Sequence, residues 1–352
     1  MKISIRTSRR IEDAQSILIR GTNWIGDVVM TLPAMAAIRR AFPQAKISVL
    51  VKPWVADIFS LCSDVDDVIV YRSPGVHKGI KGLFRLAGEL RERKFDAAIL
   101  LQNAIEAAII AWLARIPIRA GYNADGRGPL LTHSVKRTRA VRRIPQVDYY
   151  LEMVRTLGCE GSNRDFHLSL NQDDKNRAGE ILHHYGIGQE DFLVGIAPGA
   201  TYGAAKKWFP ERFATVADQL IEEFSSQILL FGSAGDREST QAVSRHANHA
   251  LTDLSGVTTL REAISLISRC SLFISNDSGL MHVAGALGVP TLAIFGSTNP
   301  VTTSPPGEKS MVVHKDLPCS PCLKTTCPTD FRCMDLIGVE DVYGVARWLI
   351  TK

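Results

Sequence analysis

The chain has 352 residues, 45% of them hydrophobic, with a formal net charge of +5 and a mean hydropathy near zero. That length suits two α/β domains with a core each, and no window approaches the roughly 18 uninterrupted apolar residues of a membrane span. The first sixteen residues are charged and lack an apolar stretch, so they read as a loose basic arm rather than a secretory signal. Seven cysteines without a signal give no reason to expect a disulfide framework, and the expected compartment is the cytoplasm.

Apolar runs then alternate with helix-period segments, the pattern of parallel α/β sheets. Strands are expected at 17–20, 47–51, 68–71, 97–101 and 118–121, with helices such as 33–41 and 80–94 between them. After a polar junction at 171–191, itself holding a short amphipathic helix, strands are expected at 193–197, 228–231, 272–275 and 291–295. Helices at 210–223, 237–247 and 259–268 fall among these, the first opened by Pro210 and the last by the capping box Thr259-Leu-Arg-Glu262. A final amphipathic segment spans 339–350. The division is therefore 1–170 and 171–352.

Two strand–turn–helix units carry the chemistry. In the second half an apolar strand runs into Asn276-Asp277-Ser278-Gly279 and then a helix with His282 one turn on. Unpaired N–H groups and the positive end of the helix dipole favour phosphate over such a turn. In the first half the strand 17–20 runs into Gly21-Thr-Asn-Trp-Ile-Gly26-Asp27. Each motif has an ordinary reading: Asp27 as a helix cap, His282 as a packed helix residue. A P-loop is absent, and so is a GxGxxG after the first strand, which disfavours ATPases and nicotinamide or flavin enzymes. The stretch 197–210, APGATYGAAKKWFP, offers small residues, a hydroxyl and Lys206 as a pyrophosphate clamp.

Charge is uneven: residues 1–180 carry net +9 and 181–352 net −4. The sharpest piece, 126–144, holds Arg127, Lys136, Arg137, Arg139, Arg142 and Arg143 and no acid. It is either a solvated face or a docking surface for an anionic partner, and the absence of interleaved aromatics argues against nucleic acid.

Together RGTNWIGDVVMTLPAMAAIRRAFPQAKI, RAGYNADGRGPLLT, APGATYGAAKKWFPERFA, FGSAGDRE, DLSGVTTLREAI and NDSGLMHVAGALGVPTLAIFGSTNP run over nearly the whole chain. They resemble the ADP-heptose:lipopolysaccharide heptosyltransferases, GT-B glycosyltransferases, nearest the heptosyltransferase II branch. The resemblance implies two Rossmann-like domains facing across a cleft, the first for acceptor and the second for donor, with 339–350 returning towards the first. It implies inverting, metal-independent transfer of L-glycero-D-manno-heptose from ADP-heptose to the heptosyl-Kdo2-lipid A inner core, with no cofactor, by an enzyme peripheral on the cytoplasmic face of the inner membrane. Asp27 would be the general base and Lys206 would meet the donor phosphates. Thr201, Tyr202, Asp277, Ser278, Gly279 and His282 would contact the donor, with Asp236 or Glu238 on the adenosine. Arg127, Lys136, Arg137, Arg142 and Arg143 would face the anionic acceptor. Heptosyltransferase I or III, a protein (Ser) heptosyltransferase and a non-catalytic nucleotide-sugar binder remain alternatives. Cys319, Cys322, Cys327 and Cys333 could be reduced loop thiols or a zinc site; no metal is assigned to the reaction.

Overall fold

The computed structural model describes residues 2–161 and 163–352, which divide into one unit up to Ser169 and another from Leu170. The first unit holds a seven-stranded sheet: β1 (Ile3–Ile5), β2 (Ser16–Arg20), β3 (Lys46–Val51), β4 (Asp67–Val70), β5 (Ala97–Leu100), β6 (Ile118–Tyr122) and β7 (His133–Val135). Its spatial order is β1-β7-β6-β5-β2-β3-β4, parallel throughout except that β1 runs antiparallel to β7. The buried strands are near-continuous apolar runs, as parallel sheets covered on both faces require.

The helices of this unit are α1 (Ile25–Ala41), α2 (Ala56–Ser60), α3 (Gly79–Glu92), α4 (Ile105–Leu113) and α5 (Gln146–Thr156). Helix α1 starts eight residues before Pro33, where the sequence places its beginning. Residues 28–38 are buried on every side, so no 3.6-residue alternation marks the true start. Pro33 sits inside, its missing donor tolerated within a fully packed helix.

The first corrections concern charge. The basic arm is not loose throughout: Ile3–Ile5 pairs with His133–Val135, which lies inside the basic run and is buried. Arg127 is not a surface residue at all, with 0% exposure. Its guanidinium donates to the carbonyls of Tyr122 (2.7 Å), Gln102 and Leu100 (3.3 Å) and to Asn103 Oδ1 (3.2 Å). Burial lowers its pKa to about 10, leaving it charged at neutral pH. An arginine whose donors are spent on the backbone cannot also grip an acceptor. Lys136, Arg139, Arg142 and Arg143 are exposed, and Arg137 is half-buried with its guanidinium 5.6 Å from the centre of the Tyr149 ring.

The second unit is a six-stranded parallel sheet of order β10-β9-β8-β11-β12-β13: β8 (Leu193–Ala197), β9 (Gln227–Leu230), β10 (Thr252–Asp253), β11 (Leu272–Asn276), β12 (Thr291–Ile294) and β13 (Ser310–Val313). Its helices are α6 (Gln172–His184), α7 (Pro210–Phe224), α8 (Arg237–His246), α9 (Leu260–Ile267), α10 (Gly279–Ala286), α11 (Pro300–Thr303), α12 (Arg332–Asp335) and α13 (Val339–Thr351). The Thr259 box caps α9 as the sequence predicts, Thr259 N–H donating to Glu262 Oε2 at 2.8 Å. Helix α13 packs on α7 and on β11, β12 and β13 within this unit. Its core joins apolar residues of the sheet, α7 and α13, among them Phe213, Leu220, Ile274, Val342 and Ala346.

Removing the Arg127 fork strands several buried carbonyls. Arg127→Met should therefore cost roughly 3 kcal/mol or more in urea unfolding. Arg127→Lys should recover little, because one ammonium cannot span the same acceptors. Stability within about 0.5 kcal/mol of the parent would show that the carbonyls find other donors.

Candidate active site

Loops after parallel strands emerge on one edge of the sheet, and both sets of candidate residues lie on such edges. In the first unit the turn after β2 leads to Asp27, in the first turn of α1. The N-cap is Trp24, not Asp27, and it provides no side-chain cap. Asp27 lines a cavity of about 280 Å³ with Thr22, Asn23, Trp24, Leu101, Gln102, Asn103, Gln146 and Tyr150. Thr22 Oγ1 and Gln102 Oε1 in its walls have no hydrogen-bond partner among the described residues, as suits a pocket for a hydroxyl-bearing ligand. The buried Tyr150 phenol is pushed up by desolvation first and then by the negative charge of Asp27.

A buried arginine holds each main wall. Arg20, 1% exposed, donates to Gly21 O (2.5 Å), Leu50 O (3.2 Å) and Asn23 Oδ1 (3.2 Å), fixing the turn before Asp27. Arg127 fixes the opposite wall through Gln102 and Asn103. Asn103 Nδ2 in turn donates to the Tyr149 hydroxyl (2.8 Å), whose ring Arg137 approaches. Thus Arg137, in the basic segment after β7, is linked to the pocket wall only through Tyr149 and Asn103, and Arg127 only through Gln102 and Asn103.

In the second unit Lys206 Nζ lies 2.6 Å from Asp277 Oδ2, the side chains 14% and 6% exposed. The ammonium also stands 4.9 Å from the centre of the Tyr202 ring. Thr298 Oγ1 donates to the same Asp277 oxygen at 2.5 Å. Ser278 caps α10 with no side-chain cap bond, its Oγ 2.9 Å from Ser275 Oγ, and Gly279 opens the helix. Thr201 and Tyr202 are exposed on the same loop as Lys206.

The loop is held by the first residue of the turn motif, to which the sequence assigns no role of its own. Buried Asn276 donates from Nδ2 to Pro198 O (2.7 Å) and accepts from Trp208 N–H (3.0 Å), gripping both ends of the segment that carries Lys206. Its place at the end of β11, before a turn rich in cap residues, made it look like one more of them. Gly199 does not open room for a phosphate alone: a Cβ there would lie 2.2 Å from Asp236 Oδ1. Asp236 meanwhile accepts from Ser233 N–H (2.9 Å) and Oγ (2.7 Å), closing a capping box, while Glu238 is exposed in the first turn of α8.

The cysteine-rich segment braces the Lys206 loop. Tyr202 OH donates to Leu323 O (2.9 Å) and Ala205 N–H to Thr325 O (3.0 Å), and a Cβ on Gly203 would strike Thr325 O at 2.3 Å. Cys319 is exposed, Cys322 and Cys327 half-buried and Cys333 buried, all as free thiols. Among the described residues no group of three or more His, Cys, Asp or Glu is arranged to hold a metal.

His282 is 3% exposed and its Nδ1 has no hydrogen-bond partner among the described residues. Burial lowers its pKa to about 4, partly countered by Asp277 and reinforced by Lys206. It is neutral at pH 7. Because the unfolded histidine takes up a proton near pH 6.5 and the folded one only near 4, stability falls as pH drops through that window. Between pH 7 and 5 this one group should cost roughly 2 kcal/mol, measured by urea unfolding, and His282→Leu should remove that share. An unchanged pH dependence in the variant would clear His282.

The sequence matches glycosyltransferase family 9 (heptosyltransferase) over residues 83–331. It is 30% identical over 309 residues to lipopolysaccharide heptosyltransferase 2 of Salmonella typhimurium, covering 85% of this chain and 87% of that protein, and equally to the Escherichia coli protein of that name. Lipopolysaccharide heptosyltransferase 1 of Pseudomonas aeruginosa is 28% identical, with 88% and 87% covered. Among solved structures, E. coli ADP-heptose lps heptosyltransferase II superposes with a TM-score of 0.82 at 27% identity, covering 96% of this chain and 98% of that one. A family 9 glycosyl transferase from Veillonella parvula gives 0.87 at 26%, covering 96% and 97%. With its two Rossmann-like units in the GT-B class, the chain belongs to glycosyltransferase family 9, the heptosyltransferases, and is a glycosyltransferase.

Proposed function

We propose that the chain transfers L-glycero-D-manno-heptose from ADP-heptose to the heptosyl-Kdo2-lipid A inner core, as a heptosyltransferase II, working peripherally on the cytoplasmic face of the inner membrane. The observation that carries this reading is the paired equipment of the two units. A carboxylate lines a polar pocket in the first, and a lysine stands beside a helix N-terminus in the second. Among the described residues no helix is long and apolar enough to cross a membrane.

In this reading Asp27 takes the proton of the acceptor hydroxyl as its oxygen bonds to the anomeric carbon. The bond from that carbon to the diphosphate breaks, and its electron pair leaves with ADP. Lys206 and the N–H groups at the start of α10 offset the charge that develops on the leaving phosphate. Asp277 orients Lys206, and Thr298 orients Asp277. Neutral His282, beside that pair, donates or accepts without adding charge. Thr201, Tyr202, Ser278 and Gly279 line the donor's path, with Asp236 or Glu238 towards the adenosine. Lys136, Arg137, Arg142 and Arg143 attract the anionic acceptor. The reaction needs no cofactor in this scheme.

Asp27→Asn should keep the fold and ADP-heptose affinity and lose transfer by about 10² to 10⁴ fold. Near-normal turnover would leave Asp27 a first-turn helix acid and nothing more. Lys206→Ala should lower kcat and weaken ADP binding together, since the charge assists ground state and transition state alike. Lys206→Arg, which keeps a cation for Asp277, separates that effect from lost stability. An effect confined to acceptor KM would place Lys206 outside donor chemistry.

A further inference from the structure

We propose that residues 72–85, the loop after β4 with the first two turns of α3, are a docking surface for an anionic lipid bilayer. Three large apolar side chains stand out into solvent here: Val76 at 52%, Ile80 at 76% and Phe84 at 58% exposure. Their spacing of four puts Ile80 and Phe84 on one side of α3, and the buried Gly82, Leu86 and Leu90, also four apart, lie on the side turned away from them. Ordinary amphipathic helices do not leave such a stripe in water.

Cations surround the stripe. Residues 72–85 contain Arg72, Lys78, Lys81 and Arg85, all exposed, and no acid. Among the described residues none of the four has an ion pair. Apolar groups ringed by unpaired cations match the boundary between acyl chains and anionic headgroups, where both terms favour adsorption. An acidic protein partner would use the cations but has no need of a projecting Ile80 and Phe84.

Loop and helix are tied together. Buried His77 accepts from Arg72 N–H through Nδ1 (3.0 Å) and meets Glu89 through Nε2 (3.2 Å), pinning loop to helix. A Cβ on Gly82 would lie 2.2 Å from the His77 carbonyl carbon, so the two are in direct contact. The loop leaves the same sheet edge as the Asp27 turn, where Trp24 (63%) and Trp54 (51%) are also exposed. A bilayer held at this edge would present a lipid-anchored sugar near the Asp27 pocket. That purpose rests on the function proposed above; the surface itself does not.

The test is co-sedimentation of the full chain with phosphatidylethanolamine vesicles containing phosphatidylglycerol, and with pure phosphatidylcholine vesicles. Binding is expected only to the anionic vesicles, falling as salt rises. Lys81→Gln with Arg85→Gln should weaken partitioning by about 25-fold, about fivefold per charge. Phe84→Ser should weaken it by about tenfold. Both variants should keep ADP affinity and Tm, lose turnover on acceptor embedded in vesicles, and match the parent on a deacylated, soluble acceptor. Equal binding to both vesicle types, undiminished binding by the variants, or a variant sedimenting as a smaller species than the parent would overturn the proposal, the last by making the face a contact between copies. Absence of transfer to the soluble acceptor by the parent would instead strike the proposed function and leave the vesicle result standing.

Discussion

Two buried guanidinium groups hold the sheet edge of the first unit that carries Asp27, and the geometry of its pocket depends on them. Arg20 and Arg127 are the largest side chains in the molecule to be fully buried. Burying each costs several kcal/mol, and desolvation lowers both to about 10. What offsets that cost is the set of carbonyl and amide oxygens at the ends of β2, β3 and β5, where the strands stop and the guanidinium groups supply donors. One guanidinium serves several such oxygens from a fixed plane, which no uncharged side chain can do. Burial lowers Lys52 as it does Arg20, and the negative charge of Glu106 partly counters the shift in both.

The second unit solves the same problem with a neutral group. Asn276 has a donor and an acceptor on one amide, so it can close both ends of the excursion from Pro198 to Trp208. Placed between them, Lys206 needs little freedom to reach Asp277. Arg212, bonding the carbonyls of Asp335 (2.6 Å) and Ile337 (2.8 Å), ties the end of the cysteine-rich segment to α7, so the brace over this loop is itself anchored.

The sequence shows most clearly what periodicity and turn chemistry write locally. The central strands, the Thr259 box and the helix opening at Pro210 all came from such signals. The short strands β1, β7, β10 and β13 did not, because two to four residues carry no period and β1 and β7 lie in basic surroundings. Helix α1 lost its first turns to view because it is buried all round. At the site, Asp27, Lys206, Asp277 and His282 were legible as motif residues, and the structure adds the pairing of Lys206 with Asp277 and the hydroxyl of Thr298. Arg127 misled for a physical reason: composition counts a charge but not its burial. Asn276 and Thr298 were hidden because their partners lie 68 to 78 and 21 residues away in sequence.

Contact between Gly203 and Thr325 links two stretches of chain that look independent. With no space for a side chain on Gly203, the lysine loop can keep its path only while residue 325 keeps its backbone position. Over evolutionary time the two segments are therefore expected to be inherited as one unit. A lineage that shortened or replaced the cysteine-rich stretch would have to rebuild the lysine loop in the same step, and in homologues changes at the two places should arrive together.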